Sequence, residues 1–294
     1  MIIVKLFGGI GNQMFQYAFG RALSLKHQVE LKLDISVLSD KTNKEISDRD
    51  FELEAFGIKA TIASKEEIKK FSSGKMKKAI DLVSLSVPFK RDFFYLREPG
   101  FGFFRNALKA PANSYVDGYW QSEKYFMNIR PVLLKEFFPV NPLSEKSKKT
   151  VEKIKSVNAV SIHVRRGDYY SNMVNAKYTG ICTEPYYMTA IEKISAKIKD
   201  PFFFIFSDEP DWFKKNIKMK FPVEYIEHNT GRQSYEDMFL MSLCRHNIIA
   251  NSSFSWWGAW LNQNAEKNVI APAKWFNDDS KKISDLLPST WIKI

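Results

Sequence analysis

The sequence predicts an α/β protein made of two halves, each a parallel sheet covered by helices, that face one another across a cleft. Three observations support this class. Short apolar runs alternate with amphipathic stretches in the second half, and the first 35 residues repeat strand, glycine turn, helix and strand. The length of 294 residues is also about twice the ~150 residues of a usual domain.

The first half opens with a strand over residues 2–7, a glycine turn and a helix over residues 13–27. This apolar start is interrupted by Lys5 and is too short to span a membrane, so it is interpreted as a buried strand and not as a signal peptide. Residues 72–110 show no assignable pattern. The other elements expected in this half are strands at 29–35, 51–57 and 115–120 and a helix at 64–71.

The second half alternates strands and helices regularly, which predicts a parallel sheet with right-handed connections. A linker is placed at residues 141–156, where Pro142, serines and lysines separate the apolar segments, so the predicted domains are 1–150 and 151–294. The strands are expected at residues 159–164, 202–206, 223–226, 248–250 and 269–271, and the helices at 184–199, 210–218, 234–245 and 255–265.

The formal charge of +11 and the pI near 9.4 call for an anionic partner or surface. Much of the excess lies in lysine-rich stretches at 65–78, 146–155 and 214–220, which predict either solvated helix faces or contact with an anionic membrane. Nucleic acid is disfavoured because aromatic residues are not interleaved with these lysines. Two widely separated cysteines, Cys182 and Cys244, indicate a reducing, cytoplasmic location without structural zinc.

The most informative segment is His163-Val164-Arg165-Arg166-Gly167-Asp168, at the end of a predicted strand. A guanidinium group presents a planar fork of donors that suits diphosphate oxygens. Successive strand residues point to opposite faces, so the two arginines serve one ligand only if the turn begins at them. Arg165 is therefore expected to contact phosphate, whereas Arg166 either does the same or pairs with Asp168 or another acid.

A serine-rich segment, residues 250–255, joins the next strand to a helix. Backbone N–H groups at such a helix start, here at Ser252, Ser253 and Phe254, favour an anion. Simple capping of the helix is an equally open alternative. Trp256 and Trp260 are four residues apart, which favours core packing over substrate stacking.

Two acidic residues follow other predicted strands. Ser234 and Asp237 have the spacing of a capping box, but the Asp237 carboxylate could instead accept the paired N–H groups of guanine. Asp208 is either a helix cap before Trp212 or a ligand contact in the cleft. Both are retained as candidate ligand-binding residues.

The glycine turn at residues 7–13 resembles a dinucleotide fingerprint only weakly, because Met14 occupies its third glycine position. The turn more simply allows backbone approach to a bulky ligand, with Asn12 and Gln13 offering amide hydrogen bonds. The DxD pattern at residues 48–50 is attributed to chance, since arginines can neutralise a diphosphate without a metal. No metal site is predicted.

Together these segments resemble the bacterial α-1,2-fucosyltransferase family. Residues 8–18 are similar to its opening motif, residues 163–169 to the HxRRxD motif that it shares with α-1,6- and protein O-fucosyltransferases, and Asp237 with residues 251–258 to its third block. The resemblance spans nearly the whole chain. It implies a GT-B type fold of two Rossmann-like domains and inverting, metal-independent transfer from GDP-fucose, with no cofactor. It also implies donor binding in the C-terminal domain, which leaves the N-terminal domain for the acceptor.

The resemblance also implies roles for single residues. Arg165 would hold the GDP β-phosphate, and His163 and Asp237 would contact guanine or ribose. Residues 252–254 would close the phosphate pocket. Asp168 is the predicted general base, with Glu184 and Asp208 as alternatives; related α-1,6 enzymes place a base a few residues later, where this chain has Met173.

The predicted activity is transfer of L-fucose to the 2-hydroxyl of a terminal, galactose-type residue of an oligosaccharide or lipid-linked glycan. The protein would lie in the cytoplasm or peripherally on the inner membrane face. Three alternatives stay open: another nucleotide-sugar donor, another fucose linkage, or a non-catalytic binder of anionic surfaces.

Overall fold

The structure is a computed structural model that describes residues 1–39, 49–72, 94–167, 182–278 and 283–294. The chain divides into two compact units. Unit 1 comprises Met1–Phe138 and Lys282–Leu286, and unit 2 comprises Pro139–Lys281 and Leu287–Ile294. Each unit contains a parallel sheet with helices, which confirms the predicted α/β class with two Rossmann-like units.

Unit 1 is built on a five-stranded sheet in which every described pairing is parallel. The strand order is β3-β2-β1-β5-β4, so the order reverses between β1 and β5. The strands are β1 (Ile2–Lys5), β2 (Leu31–Asp34), β3 (Thr61–Ile62), β4 (Phe94–Arg97) and β5 (Ser114–Asp117).

The long helix α1 (Ile10–His27) packs against β1 with most of its residues buried. Its closest approach is at Gly20, where an added Cβ would lie 2.1 Å from Val4 Cγ2. Gly20 therefore allows close packing of the helix on the sheet, which Met14 does not allow about two turns earlier. The other helices described in unit 1 are α2 (Ser36–Ser39), α3 (Lys65–Ser72) and α4 (Arg130–Glu136).

Unit 2 contains a six-stranded parallel sheet with the order β11-β10-β9-β6-β7-β8. Numbered from β6, this is the strand order 3-2-1-4-5-6 of a doubly wound nucleotide-binding sheet. The strands are β6 (Asn158–Val164), β7 (Pro201–Ser207), β8 (Val223–Ile226), β9 (His246–Ile248), β10 (Val269–Ala271) and β11 (Ile292–Lys293).

Helices cover both faces of this sheet. Val160, Ile162 and Val164 of β6 pack in the core with residues of α6 and α7. Ser161 and His163 point the other way, toward Asn247 and toward Phe254 of α9. The helices of unit 2 are α5 (Glu145–Ser156), α6 (Glu184–Ser195), α7 (Pro210–Asn216), α8 (Ser234–Leu243) and α9 (Ser253–Leu261).

Several predicted boundaries need correction. The linker proposed at 141–156 is mostly helix α5, which Ser144 caps by accepting the Ser147 N–H at 3.2 Å, and the units divide at Phe138. The strand proposed at 51–57 contains only a 3₁₀ turn, and β9 begins two residues before its predicted start. Strands β3, β4 and β11 were not predicted. The expected packing of Trp256 on Trp260 is confirmed, with both rings buried and stacked.

Candidate active site

The carboxyl ends of β6 and β9 lie side by side at the centre of the second sheet. The strand order runs outward from this pair in opposite directions. In open parallel sheets, ligands bind outside the carboxyl ends of the strands at such a switch point. Here β6 continues into Arg165 and Arg166, and β9 leads into the start of α9. We therefore take these two segments and the adjacent end of β7 as the candidate site.

Asp208, the first residue after β7, shapes the turn that follows β6. Its Oδ1 accepts the Arg166 N–H at 3.0 Å, and its Oδ2 accepts the Gly167 N–H at 3.0 Å. Oδ2 also lies 3.0 Å from Nη1 of Arg165, whose side chain is 25% exposed. With three donors on its carboxylate, Asp208 braces the turn. The N-cap of α7 is Glu209, so the predicted helix cap at Asp208 is wrong, and a ligand contact there stays a prediction. A guanidinium has five N–H donors, so this pairing is compatible with a phosphate contact at Arg165.

Arg166 points to the opposite side of β6. Its guanidinium carbon lies 3.9 Å from the ring centroid of Trp212, and its Nε lies 3.6 Å from Glu209 Oε2. Because side chains alternate along a strand, Arg166 shares the core-facing side of Val164. Arg166 therefore packs on Trp212 and pairs with Glu209, which confirms the alternative of pairing with an acid, whereas a ligand contact at Arg166 stays a prediction.

His163 is buried on the same face as Arg165. Its ring centroid lies 5.5 Å from that of Phe254, in the first turn of α9. Burial, together with the nearby charge of Arg165, lowers the pKa of His163 to about 3, so the imidazole is neutral at physiological pH. Its Nδ1 is buried and has no hydrogen-bond partner among the described residues. A neutral ring suits a hydrogen bond to a base or ribose better than it suits phosphate neutralisation.

The serine-rich segment forms the start of α9. Ser252 is the N-cap, and its Oγ accepts the Phe254 N–H at 3.3 Å, which confirms the capping alternative for this residue. Asn251 is buried and donates to the Trp275 carbonyl at 3.1 Å, which fixes the connection between β9 and α9. Ser253 and Phe254 are partly exposed in the first turn, so an anion contact at residues 252–254 stays a prediction.

Asp237 lies in the first turn of α8. Its Oδ1 accepts a hydrogen bond from Asn229 Nδ2 at 2.7 Å, so the predicted capping box with Ser234 is wrong. Burial raises the pKa of Asp237 to about 7, the Asn229 bond opposes this rise, and the neighbouring Glu236 adds to it. The carboxyl group therefore titrates near neutrality, where an N–H donor from a ligand would favour its ionised form. Asn229 belongs to no motif, so sequence reasoning missed it.

Gln13 is fully buried in the glycine turn of unit 1. Its Nε2 donates to the carbonyls of Gly8 at 2.8 Å and Asp50 at 2.9 Å, and its Oε1 accepts the Glu52 N–H at 3.0 Å. These bonds make Gln13 an internal brace, which corrects the predicted ligand contact.

Asn12 lies beside the same turn and is partly exposed. Gly8 has a φ of +74°, and a Cβ there would lie 2.6 Å from Asn12 Nδ2, so the turn requires glycine. Asn12 Oδ1 accepts a hydrogen bond from Gln121 Nε2 at 2.8 Å. Unlike the side chain of Gln13, the side chain of Asn12 is therefore partly accessible at the surface of unit 1, and its ligand contact stays a prediction.

The remaining groups that the sequence singled out are Asp168, the DxD pattern and Glu184. Asp168 lies outside the described residues, and so does Asp48, the first residue of the DxD pattern. Glu184 is exposed at the first position of α6. In the part of the chain that the structure describes, no three His, Cys, Asp or Glu side chains converge as metal ligands, and metal independence stays a prediction.

The chain thus contains two α/β units with parallel sheets, and an arginine suited to bind phosphate lies at the switch point of the second. The model of the family described as glycosyl transferase family 11 matches residues 1–294. The chain therefore belongs to glycosyl transferase family 11, which confirms the resemblance carried by its motifs.

The chain is also similar to individual proteins, in sequence or in structure. The chain is 36% identical over 299 residues to the alpha-1,2-colitosyltransferase of Escherichia coli, and the match covers 100% of this chain and 99% of that protein. It is 27% identical over 151 residues to the galactoside 2-alpha-L-fucosyltransferase Sec1 of Mus musculus, covering 49% and 41%. The structure of NodZ alpha-1,6-fucosyltransferase soaked with GDP-fucose superposes with a TM-score of 0.51 at 12% identity, covering 88% of this chain and 91% of that one, and confirms the GT-B fold.

Proposed function

We propose that this family 11 glycosyltransferase moves L-fucose from GDP-fucose to the 2-hydroxyl of a terminal, galactose-type residue of a glycan. The reaction inverts the anomeric carbon and uses no metal ion. The observation that carries the proposal is Arg165, fixed by Asp208 at the switch point of the second sheet. The motif resemblance and the names of the two enzymatic relatives support α-1,2 transfer.

Arg165 acts on the leaving group in this proposal. The acceptor oxygen forms a bond to the anomeric carbon while the bond from that carbon to the β-phosphate oxygen breaks. The electron pair departs with GDP, so negative charge grows on the diphosphate. A guanidinium already oriented by Asp208 stabilises this charge more in the transition state than in the ground state. His163 and Asp237 hold guanine or ribose, and residues 252–254 hold the phosphates.

The acceptor hydroxyl must give its proton to a base within hydrogen-bond reach. His163 is poorly suited, because its pKa of about 3 makes it a weak base at neutral pH. Asp208 is occupied by three donors. Asp168 is therefore retained as the proposed base.

A second donor is favoured by one observation, the 36% identity to an enzyme named as a colitosyltransferase. Colitose is fucose without its 3-hydroxyl, so both GDP-sugars offer the same diphosphate to Arg165. The two donors therefore differ only at the sugar pocket.

In this proposal residues 151–294 bind the donor, and residues 1–150 bind the acceptor. The acceptor is an oligosaccharide or a lipid-linked glycan, which a basic protein could reach at an anionic membrane surface. Exposed lysines of α5 supply part of that charge. Within the described residues, no helix combines the length and the apolar character that a membrane crossing requires.

Membrane contact is tested with phosphatidylglycerol vesicles against phosphatidylcholine controls. We expect binding to the anionic vesicles at about 0.05 M salt and its loss at about 0.5 M. Equal binding to both lipids would contradict the electrostatic proposal.

The activity is tested by incubating the protein with GDP-fucose or GDP-colitose and lactose. We expect GDP release and a product whose new linkage, read by NMR, joins the 2-oxygen of galactose in inverted configuration. Calorimetry should show GDP binding much more tightly than UDP or ADP. Neither donor being transferred to any member of a broad acceptor panel would contradict the proposal, and transfer of colitose alone would change the donor.

A further inference from the structure

The first sheet has a switch point of its own, between the neighbouring strands β1 and β5. Lys5 and Phe7 lie at and just after the carboxyl end of β1, and Asp117 and Tyr119 at and just after that of β5. The rule that places ligands outside such a reversal therefore applies to this edge of unit 1 as well. The proposed donor site in unit 2 uses none of these residues.

Three aromatic rings, which we call the Tyr119 platform, meet at this edge. The ring of Tyr119 lies 4.8 Å from that of Phe7 at an angle of 75°, and 6.0 Å from that of Phe101 at 17°. Tyr119 is 36% exposed, and the two phenylalanines are partly buried beside it. The negative face of an aromatic ring attracts the weakly positive C–H groups of a pyranose, so this surface suits a sugar.

The loop that carries Tyr119 is held in an unusual conformation. Glu98, just after β4, accepts the N–H groups of Tyr119 at 2.6 Å and Trp120 at 3.1 Å. Trp120 is fully buried and has a φ of +55°, which is rare for a bulky residue, and a Cβ at Gly118 would lie 2.3 Å from that of Glu98. Backbone strain of this kind persists where surrounding contacts enforce it, and it clusters at ligand sites. Anchoring Trp120 inward leaves Tyr119 at the surface.

Polar groups lie on the same strand ends as the platform. Asp117 Oδ2 lies 3.3 Å from Lys5 Nζ, and Gln121 donates to Asn12 at 2.8 Å. Carboxylate, ammonium and amide groups together can accept from and donate to sugar hydroxyls. The carboxyl groups of Glu98 and Asp117 lie at this edge beside Lys5, so the edge disfavours a diphosphate and suits a neutral polyhydroxyl ligand.

We propose that this edge of unit 1 is a subsite for one pyranose ring of the acceptor, which stacks on Tyr119 while Asp117 and Gln121 bind its hydroxyls. Glu98 is a positioning residue that fixes the Tyr119 loop. The identification of this sugar as the acceptor rests on the proposed function. The proposal that this edge binds a sugar does not depend on it.

The test uses Tyr119→Ala, with Tyr119→Phe as the variant that keeps the ring and Met127→Ala as a control at an exposed apolar residue of unit 1. Saturation-transfer NMR with methyl β-D-galactopyranoside reports sugar binding without turnover. Steady-state kinetics with lactose and calorimetry with GDP report acceptor and donor binding separately.

We expect Tyr119→Ala to lose the NMR signal and to raise the KM for lactose about tenfold, a loss of about 1.4 kcal/mol. We expect Tyr119→Phe, which keeps the stacking ring, to restore the NMR signal that Tyr119→Ala loses. Met127→Ala should stay within about twofold of the parent protein, and the Kd for GDP should be unchanged in all three variants.

An unchanged NMR signal and lactose KM in folded Tyr119→Ala would overturn the subsite while leaving the proposed function intact. A change in the Kd for GDP in place of the lactose KM would overturn it as well. If the parent protein transfers no sugar, the proposed function fails, and the NMR measurement with the galactoside still decides whether Tyr119 binds a sugar.

Discussion

At the carboxyl end of β6, strand alternation gives neighbouring residues different tasks. His163 and Arg165 share one face and Val164 and Arg166 the other. The second face belongs to the core, and there Arg166 packs on the ring of Trp212. Arg165 stays 25% exposed and is oriented by Asp208. Of the two adjacent arginines, Arg165 is therefore the one that we propose to act on the diphosphate.

Asp237 makes a prediction about the pH dependence of donor binding. Its pKa of about 7 means that the carboxyl is protonated in part at neutrality, and guanine N–H groups bind only the ionised form. The affinity for GDP should therefore fall as the pH drops from about 8 to 6, by up to tenfold per pH unit below the pKa. Calorimetry at several pH values measures it.

Asp237→Asn serves as the control, because GDP has its own titrating phosphate and this contribution is common to both proteins. The ratio of the two Kd values should change with pH through the titration of Asp237 alone. A ratio that stays constant from pH 6 to 8 would exclude Asp237 from guanine binding.

Glu98 makes a prediction about stability. Burial raises its pKa from 4.5 to about 7, although the N–H groups of Tyr119 and Trp120 oppose this rise. The folded state thus holds its proton more tightly than the unfolded chain, so ionisation destabilises the fold. At about 1.4 kcal/mol per pKa unit, the free energy of unfolding should fall by about 3 kcal/mol between pH 4.5 and pH 8 through this group.

The measurement compares urea unfolding of the parent protein and Glu98→Gln across that pH range. The variant cannot titrate at this position. The free energy of unfolding of the parent protein should therefore fall relative to that of Glu98→Gln as the pH rises. A pH-independent difference would show that Glu98 titrates normally. A raised lactose KM with an unchanged kcat in Glu98→Gln would separate positioning of Tyr119 from a purely structural role.

At the scale of single elements, α1 depends on one close approach to the sheet. An alanine at Gly20 would gain about 1 kcal/mol in helix propensity. Its Cβ would however lie 2.1 Å from Val4 Cγ2 and 3.1 Å from Leu31 Cδ1, and forced overpacking of a core costs about 1 to 3 kcal/mol. A contact of 2.1 Å is far inside the 3.0 Å below which neighbouring atoms must shift, so the cost lies in the upper half of that range, at about 2 to 3 kcal/mol. After subtraction of the propensity gain, we expect Gly20→Ala to lower the free energy of unfolding by about 1 to 2 kcal/mol.

Thermal and urea unfolding test this prediction. Gly100→Ala is the matched control, because a Cβ at that position meets no atom of the described residues within 4 Å. Equal or greater stability of Gly20→Ala would mean that α1 can shift away from β1 without cost.

Elements with a hydrophobic pattern could be predicted from the sequence, and those without one could not. Strands β6 and β7 are buried along almost their whole length and appear as continuous apolar runs, so both were located within a residue. The apolar residues of β8 also located that strand, although it is only partly buried. Helix α5 turns Ser147, Thr150 and Ile154 inward, a face with a single apolar residue, and its lysines suggested a linker. Tertiary contacts, and not local pattern, make this segment a helix.

The same limit applies to the candidate sites. Arg165 could be singled out from local sequence, because it follows a predicted strand directly. Its pairing with Asp208, 43 positions away, depends on β6 and β7 being neighbours in the sheet. The Tyr119 platform was missed for the same reason, since Phe7 and Tyr119 become close only once β1 and β5 pair.

At the scale of the whole molecule, the proposed reaction relies on protein cations and not on a bound metal. We expect transfer from GDP-fucose to change by less than about twofold after treatment with excess EDTA, because Arg165 supplies the positive charge at the leaving diphosphate. The measurement is product formation with and without chelator, followed by added manganese or magnesium. Loss of activity that manganese restores would contradict this mechanism.

The most direct test of the account is the turnover of Arg165→Ala, measured beside Arg105→Ala, which removes an exposed arginine of unit 1. The guanidinium is proposed to act mainly in the transition state, so kcat should fall about 10² to 10³-fold with a smaller change in the KM for the donor. Arg105→Ala should retain normal kinetics. A folded Arg165→Ala protein with normal kcat and normal affinity for GDP would contradict the central claim that this side chain neutralises the leaving diphosphate.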